Sequence, residues 1–265
     1  MIEAIFFDID GTLVSFTTHR VPASAATAIK ACQARGIKVF ICTGRPGVLV
    51  QDFTLPQYGG LVFDGIVAQN GAYCAAGNGE VFFKNSIDRR DIAALIKFLA
   101  NNEPFPVSVM TENAVYINYL DERVLALAQT LGVAVPRVFP LEQIDREVMQ
   151  VNIYGGPDLE EKVMREVFGN CDSSRWHPHF ADVTPRGNDK ATGIDKMLSY
   201  YGIDLSATMA FGDGANDIPM LRHVHTGVAM GNSDDLNVFR AAKYIAPHID
   251  EDGIARFLDS FFLHL

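Results

Sequence analysis

Asp8 and Asp10 stand two residues apart at the end of a short apolar run, Ala4 to Ile9, with Gly11 and Thr12 directly after them. Two carboxylates this close repel each other, so either one keeps its proton or a cation sits between them. Hard oxygen ligands select magnesium or a similar divalent ion. A solvated strand end, with Asp10-Gly11 forming a turn, accounts for the same residues. A second acidic pair changes the balance. Asp213 and Asp217 lie in Gly212-Asp213-Gly214-Ala215-Asn216-Asp217, just beyond the apolar Met209-Ala210-Phe211. Capping of a helix explains Asp217, because a carboxylate is favoured at a helix start. Capping does not explain Asp213, which ends an apolar strand between two glycines. Two such pairs on one sheet edge favour a metal site.

Thr43-Gly44-Arg45 adds a hydroxyl and backbone N–H groups at a strand-to-helix turn, a combination suited to phosphate oxygens and also to plain helix capping. Lys190 is expected at a helix start, where alone it would be an ordinary solvated lysine. No single cluster carries the chemistry; their shared placement does, because ligands of open α/β sheets bind beyond the carboxyl ends of the strands.

The elements that must position them follow from hydrophobic patterning. Ala4 to Ile9, Ile37 to Cys42 and Leu61 to Ala68 read as buried strands, and Gln69-Asn70-Gly71 reads as a turn. Ala23 to Arg35 reads as a helix between Pro22 and Gly36. Strand, helix, strand with unbroken apolar strands implies a parallel sheet covered on both faces. The texture then changes. Strands are expected at Val81 to Ile87, Val107 to Glu112, Ala114 to Leu120 and Met149 to Tyr154, with Asn113 in a tight turn. Helices are expected at Arg89 to Asn101, Glu122 to Leu131 and Leu159 to Phe168. After Pro185 the first texture returns, with helices near Lys190 to Tyr200 and Asn216 to Arg222, and strands at Thr208 to Phe211, Thr226 to Ala229 and Lys243 to Ile245. The fold class is therefore α/β, with residues 1–81 and 186–265 forming one unit and residues 82–185 an inserted α+β unit.

Bulk composition narrows the class of function. The chain has 265 residues, 48% hydrophobic and 20% charged, an ordinary globular mix. A net charge of −10 argues against a broad basic surface for nucleic acid, whose binding depends on neutralising phosphates. No apolar run is long enough to cross a bilayer, and the opening Met-Ile-Glu lacks the basic start of a secretory signal. Cys32, Cys42, Cys74 and Cys171 have no metal-knuckle spacing and read as reduced core thiols. A cytoplasmic protein with no membrane or nucleic-acid partner and no evident obligate protein partner is expected.

Taken together, Asp8-Ile9-Asp10-Gly11-Thr12, Thr43, Lys190 and Gly212-Asp213-Gly214-Ala215-Asn216-Asp217 resemble the four ordered motifs of the haloacid dehalogenase superfamily. The chain is most similar to its Cof-type, subfamily IIB, sugar-phosphate phosphatases. Val228-Ala229-Met230-Gly231-Asn232 and Asp250-Glu251-Asp252-Gly253-Ile254 are similar to late signatures of that subgroup. The resemblance implies a Rossmann-like core with a C2B-type cap over residues 82–185 that sets substrate specificity. It implies Asp8 as nucleophile and Asp10 as general acid/base. Magnesium would be held by Asp8, the Asp10 backbone carbonyl and Asp213, with Asp217 steadying a metal-bound water or the loop. Thr43, Gly44, Asn216 and Lys190 would hold the phosphoryl group, and Arg45 would contact substrate or cap. One departure is local: a carboxylate, Asp189, precedes Lys190 where a small residue is usual.

The function so implied is magnesium-dependent hydrolysis of small phosphorylated metabolites, hexose or pentose phosphates among them, through an aspartyl-phosphate. Phosphomutase-type transfer to another acceptor needs the same residues. A non-catalytic phosphosugar-binding regulator would share the fold. In the inserted unit Trp176, His177 and His179 are candidates for touching substrate, although lone histidines are more often surface or packing residues.

Overall fold

The computed structural model describes residues 1–50 and 52–262; the side chains of Trp176 and His177, singled out above, lie outside the described residues. The chain opens with β1 (Ala4–Phe7), α1 (Ala23–Ala34), β2 (Lys38–Cys42), β3 (Gly65–Ala68), β4 (Tyr73–Ala76) and β5 (Val81–Lys84). It continues through α2 (Arg89–Asn101), β6 (Val107–Met110), β7 (Val115–Ile117), α3 (Glu122–Leu131), β8 (Arg137–Val138), β9 (Gln150–Tyr154), α4 (Pro157–Glu166), β10 (Cys171–His177) and β11 (Phe180–Pro185). It closes with α5 (Lys190–Tyr201), β12 (Thr208–Gly212), α6 (Ile218–His223), β13 (Thr226–Met230), α7 (Leu236–Ala241), β14 (Tyr244–Ala246) and α8 (Gly253–Phe262).

The strands form two sheets. The first has the order β14-β13-β12-β1-β2-β3-β4-β5, the second β10-β11-β9-β6-β7-β8. From β14 to β3 neighbouring strands of the first sheet run parallel. The central strands β1, β12 and β13 are buried throughout because helices cover both sides, which is why they read as unbroken apolar runs; at the edge, Tyr244 and Ile245 of β14 are exposed. One face packs Phe7, Ile29, Met209 and Leu258; the other packs Phe6, Phe40, Ile194 and Met220. Cys32, Cys42, Cys74 and Cys171 are buried free thiols.

The sheet departs from the expected architecture at one edge. β4 and β5 pair antiparallel onto β3, so Val81–Lys84 joins the first sheet, and the chain leaves that sheet only after Lys84. The reason is loop length. Only a few residues around Gly79 separate β4 from β5, enough for a hairpin and too few for the crossover that a parallel pair requires. The β10–β11 hairpin also had no counterpart in the sequence reading. Asp172, Ser173, Ser174 and Arg175 lack the apolar alternation that marks a half-buried strand.

The switch in strand order falls at β1. Its successor β2 lies on one side and β12 on the other, opening a crevice at the carboxyl ends of these strands. Phe7 is in register with Phe211, so the residues that follow β1 and β12 emerge side by side.

Candidate active site

Asp8 follows the last residue of β1 and donates its amide to the Phe211 carbonyl at 3.0 Å, which extends the pairing by one step. Strand alternation does not carry on to Asp10. The backbone turns over Asp10-Gly11, with Leu13 and Val14 amides returning to the Ile9 carbonyl at 3.0 and 2.7 Å. The turn, not the pleat, brings Asp10 to the same cavity as Asp8. Gly11 has φ +78°, and a Cβ there would fall 2.1 Å from Asp213 Oδ2. Only glycine lets this loop lie against the loop after β12.

Asp8 is buried, and Lys190 Nζ donates to its Oδ1 at 2.6 Å and to Asp217 Oδ1 at 2.5 Å. Lys190 is wholly enclosed at the first turn of α5. Asp189, the unusual neighbour, is what fixes that turn: its side chain accepts from the Thr192 amide at 2.8 Å, while the Thr192 hydroxyl accepts from the Asp189 amide at 3.0 Å. This capping box leaves Lys190 aimed under Asp8. Asp217 Oδ2 accepts from the Asp213 and Gly214 amides, each at 2.9 Å, so both of its oxygens are committed to the protein. Asp213 Oδ1 accepts from the Thr12 hydroxyl at 2.9 Å.

The electrostatics follow from this crowding. Carboxylate oxygens of Asp8, Asp213 and Asp217 lie within 4.8 Å of one another. Burial, then the charge of Asp217, push Asp8 from its ordinary 3.8 up to about 7, against the pull of Lys190. Burial and the charge of Asp8 likewise hold Asp213 well above the usual carboxylate range. On Lys190 burial acts to lower the ammonium's pKa, but Asp217 and Asp8 together outweigh it and the net direction is upward. One ammonium therefore faces three carboxylates, and this donor set of hard oxygens fits a divalent cation.

Around this centre lies a cavity of about 500 Å³ lined by Asp8, Asp10, Thr43, Gly44, Arg45 and Asp213, with Asn216 also on its wall. Lys190 and Asp217 stand behind it and reach it through Asp8. The Thr43 hydroxyl accepts from the Arg45 amide at 3.1 Å, and Asn216 Nδ2 donates to Asn70 Oδ1 at 3.2 Å. Arg45 grips Asp10 with two nitrogens, Nε to Oδ2 at 2.7 Å and Nη2 to Oδ1, and Nη2 also donates to the Leu131 carbonyl at the end of α3 at 3.0 Å. Arg45 thus joins the two chain segments that close the cavity. His179 is exposed and away from the lining.

Three lining residues had no assigned role in the sequence reading: Gln150 and Asn152 on β9 and Asp182 on β11 face the cavity from the second sheet. Asn232, from the signature Val228-Ala229-Met230-Gly231-Asn232, donates to the Gly11 carbonyl at 2.8 Å. The polar alternation in Gln150-Val151-Asn152-Ile153 was the available signal, since residues two apart on a strand share a face.

A family model for haloacid dehalogenase-like hydrolases matches residues 5–258. Among curated relatives, the Bacillus subtilis (strain 168) protein YkrA, which carries a phosphatase designation, is 34% identical over 254 residues, covering 96% of this chain and 95% of YkrA. Among solved structures, the subclass IIB sugar phosphatase BT4131 superposes with a TM-score of 0.89 at 38% identity, over 98% of this chain and 99% of its own. The phosphatase-superfamily member BT1666 of Bacteroides thetaiotaomicron superposes with a TM-score of 0.87 at 35% identity, over 99% and 96%. The likeness runs nearly end to end, and the acidic crevice at the β1/β12 switch is where such a fold binds its ligand. The chain accordingly belongs to the haloacid dehalogenase-like hydrolase family, as an enzyme of its Cof-type phosphatase branch.

Proposed function

We propose that the enzyme hydrolyses small phosphate monoesters, sugar phosphates being the class suggested by its relatives, with Asp8 as nucleophile and magnesium as cofactor. The observation that carries this reading is the convergence of Asp8, Asp10, Thr43, Arg45 and Asp213, from three separate strand ends, on one cavity with Lys190 beneath Asp8. Asp8, the Asp10 carbonyl and Asp213 would hold the metal. Asp217 suits a supporting role, because its oxygens are already spent on Lys190 and two loop amides. When bound, magnesium would reduce the repulsion between Asp8 and the phosphate dianion and stabilise charge on the transferring group.

Asp8 attacks phosphorus in line, the bond to the leaving oxygen breaks, and an aspartyl-phosphate forms. Lys190 orients Asp8 for that attack and balances charge beside it. Thr43 and the Gly44 amide are suited to the phosphoryl oxygens. Asp10 gives its proton to the leaving alcohol, then takes one from the water that releases phosphate and restores Asp8. Both Asp10 oxygens are gripped by Arg45, so this role requires the pair to part as substrate enters.

Residues 82–185 serve in this reading as a cap that excludes bulk water and reads the leaving group. Work in the cytoplasm suits four buried free thiols. Inorganic phosphate release from a panel of phosphate esters, with magnesium and with EDTA, tests the proposal. Metal-dependent release that disappears in Asp8→Asn is expected. Wild-type levels of release from that variant would remove Asp8 as nucleophile.

A further inference from the structure

β3 and β4 are joined by Gln69-Asn70-Gly71, and both Gln69 and Asn70 hold left-handed backbone, with φ 51° and 50°. Residues other than glycine take this conformation at a cost, and they gather at active sites and switch regions. Glycine at position 70 would adopt it freely, so what the asparagine adds is its carboxamide. That group is buried behind the loop expected to hold phosphate. A Cβ on Gly44 would stand 3.1 Å from Asn70 Oδ1, so loop and carboxamide are in close contact. The backbone N–H of Asn70 donates to the Thr43 carbonyl at 3.1 Å, and that of Gln69 to the Arg45 carbonyl at 3.0 Å. Asn188 Nδ2, just before the first turn of α5, donates to the Asn70 carbonyl at 2.9 Å. With the contact from Asn216, this one turn touches the loop after β2, the approach to Lys190 and the loop after β12.

The same carboxamide reaches the second sheet. Asn70 Nδ2 donates to Asp182 Oδ2 on β11 at 2.9 Å and to Gln150 Oε1 on β9 at 3.4 Å. Gln150 Nε2 in turn donates to the Gly44 carbonyl at 3.3 Å and to Asp182 Oδ1 at 3.2 Å. All three side chains are buried. A hydrogen bond to a buried carboxylate is strong when made and costly to leave unmade. Asn70 is not among the residues that line the cavity, so it acts on a bound ester only through its neighbours. Lifting the second sheet from the first would strip the carboxamide of Asp182 and Gln150, the groups that hold it against Gly44.

We propose that Asn70 is a positioning residue that couples the seating of the second sheet to the shape of the phosphate-holding loop. With the sheet seated, Asp182 and Gln150 press the carboxamide against Gly44, and Thr43, Asn216 and Lys190 are set around one phosphoryl group; the coupling is reciprocal, so an occupied loop favours the seated sheet. This deepens the phosphatase reading and rests on it for the phosphoryl group. The test exchanges donor and acceptor. Asn70→Asp sets a carboxylate against Asp182 and should slow phosphate release from the best-cleaved ester of the panel by at least about tenfold. In the Asp182→Asn background, where the new amide can donate to the new carboxylate, the same substitution should change the rate by no more than about threefold. Comparing the two backgrounds removes any contribution of Asp182 itself. Tryptic cleavage after the exposed Arg186, between β11 and α5, is a second readout: Asn70→Asp should speed it in the first background and not in the second. Asn70→Gly suits the left-handed backbone and serves where another variant does not fold; it should lose at least about tenfold in kcat while remaining folded by circular dichroism. An Asn70→Asp effect of equal size in both backgrounds, or wild-type kcat in Asn70→Gly, overturns the proposal. Absence of release from every ester by the wild-type enzyme would overturn the phosphatase reading, while the cleavage rates still decide whether Asn70 holds the sheet in place.

Discussion

Replacing Asp8 with asparagine should stop turnover and, without metal, make the folded protein more stable. Asp8 is buried beside Asp217, Asp213 and a single ammonium, and its pKa rises from 3.8 to about 7. In the pH window from 3.8 to about 7 the folded state holds a proton on Asp8 that the unfolded chain has released. Wild-type stability therefore falls as pH rises through this window, and above it the penalty is complete. A shift of about three pH units corresponds to ~4 kcal/mol at about 1.4 kcal/mol per unit. That is a ceiling, because asparagine mimics the neutral acid but gives up the contact with Lys190, and breaking one side of a buried pair has its own cost. A gain of about 1–4 kcal/mol at pH 8, shrinking toward zero near pH 4, is expected. Urea unfolding followed by circular dichroism in EDTA at pH 5 and pH 8 measures it; Asp213, held up in part by the Asp8 charge, is relieved by the same substitution and adds to the difference in the same direction. Magnesium should narrow or reverse the order, because a ligand of the folded state stabilises it and the variant has lost one carboxylate toward it. An Asp8→Asn protein less stable than wild type at pH 8 in EDTA, or a difference that ignores pH, would refute the reasoning.

Gly11→Ala should lower both stability and phosphatase activity, by more than the ~1 kcal/mol of an ordinary left-handed glycine replacement, because the new methyl group meets the Asp213 carboxylate as well as a positive φ; urea unfolding and phosphate release report the two losses. Arg45→Ala should reduce kcat/KM by roughly tenfold to a hundredfold, about 1.4–2.7 kcal/mol of transition-state stabilisation, since it frees Asp10 and cuts the link to the Leu131 carbonyl; steady-state kinetics at several pH values would show an altered profile if Asp10 is the acid/base. Asp189→Ala removes the cap of α5 and should cost about 1 kcal/mol of stability; a smaller loss of Tm in Asp189→Asn, which can still cap, would confirm the cause.

The candidate site was legible in the chain because it lies in short, local segments. Asp8-Ile9-Asp10-Gly11-Thr12 and Gly212-Asp213-Gly214-Ala215-Asn216-Asp217 each follow an apolar strand, so their carboxylates could be assigned to one sheet edge without coordinates. The helices Arg89–Asn101 and Glu122–Leu131 match the expected ranges to the residue, and the structure shows Asp88 and Asp121 capping their first turns. Asp189 is the instructive case: next to Lys190 it looked like a departure from the motif, and it proved to be the N-cap that aims the lysine.

What the chain alone left open depends on contacts between segments far apart. Gln150, Asn152 and Asp182 are polar residues on strands, and nothing local says that their face looks into a cavity and not toward solvent. Only the packing of the second sheet over the β1/β12 crevice decides that. Arg45 binding Asp10 and the Leu131 carbonyl joins residues 86 positions apart in sequence at one end and 35 at the other. β4 and the polar strand Cys171–His177 were hidden for a related reason: strand identity there comes from a neighbour's unpaired backbone, not from side-chain periodicity. Val81–Lys84 was legible as a strand, and only its antiparallel partner was hidden. Sequence determined which groups are candidates for the proposed reaction, because carboxylates, lysine and glycine act through their own chemistry at fixed local spacing. Tertiary structure decided what they face, because the roof over Asp8 is built from a different part of the chain and exists only once that part has folded against the first sheet.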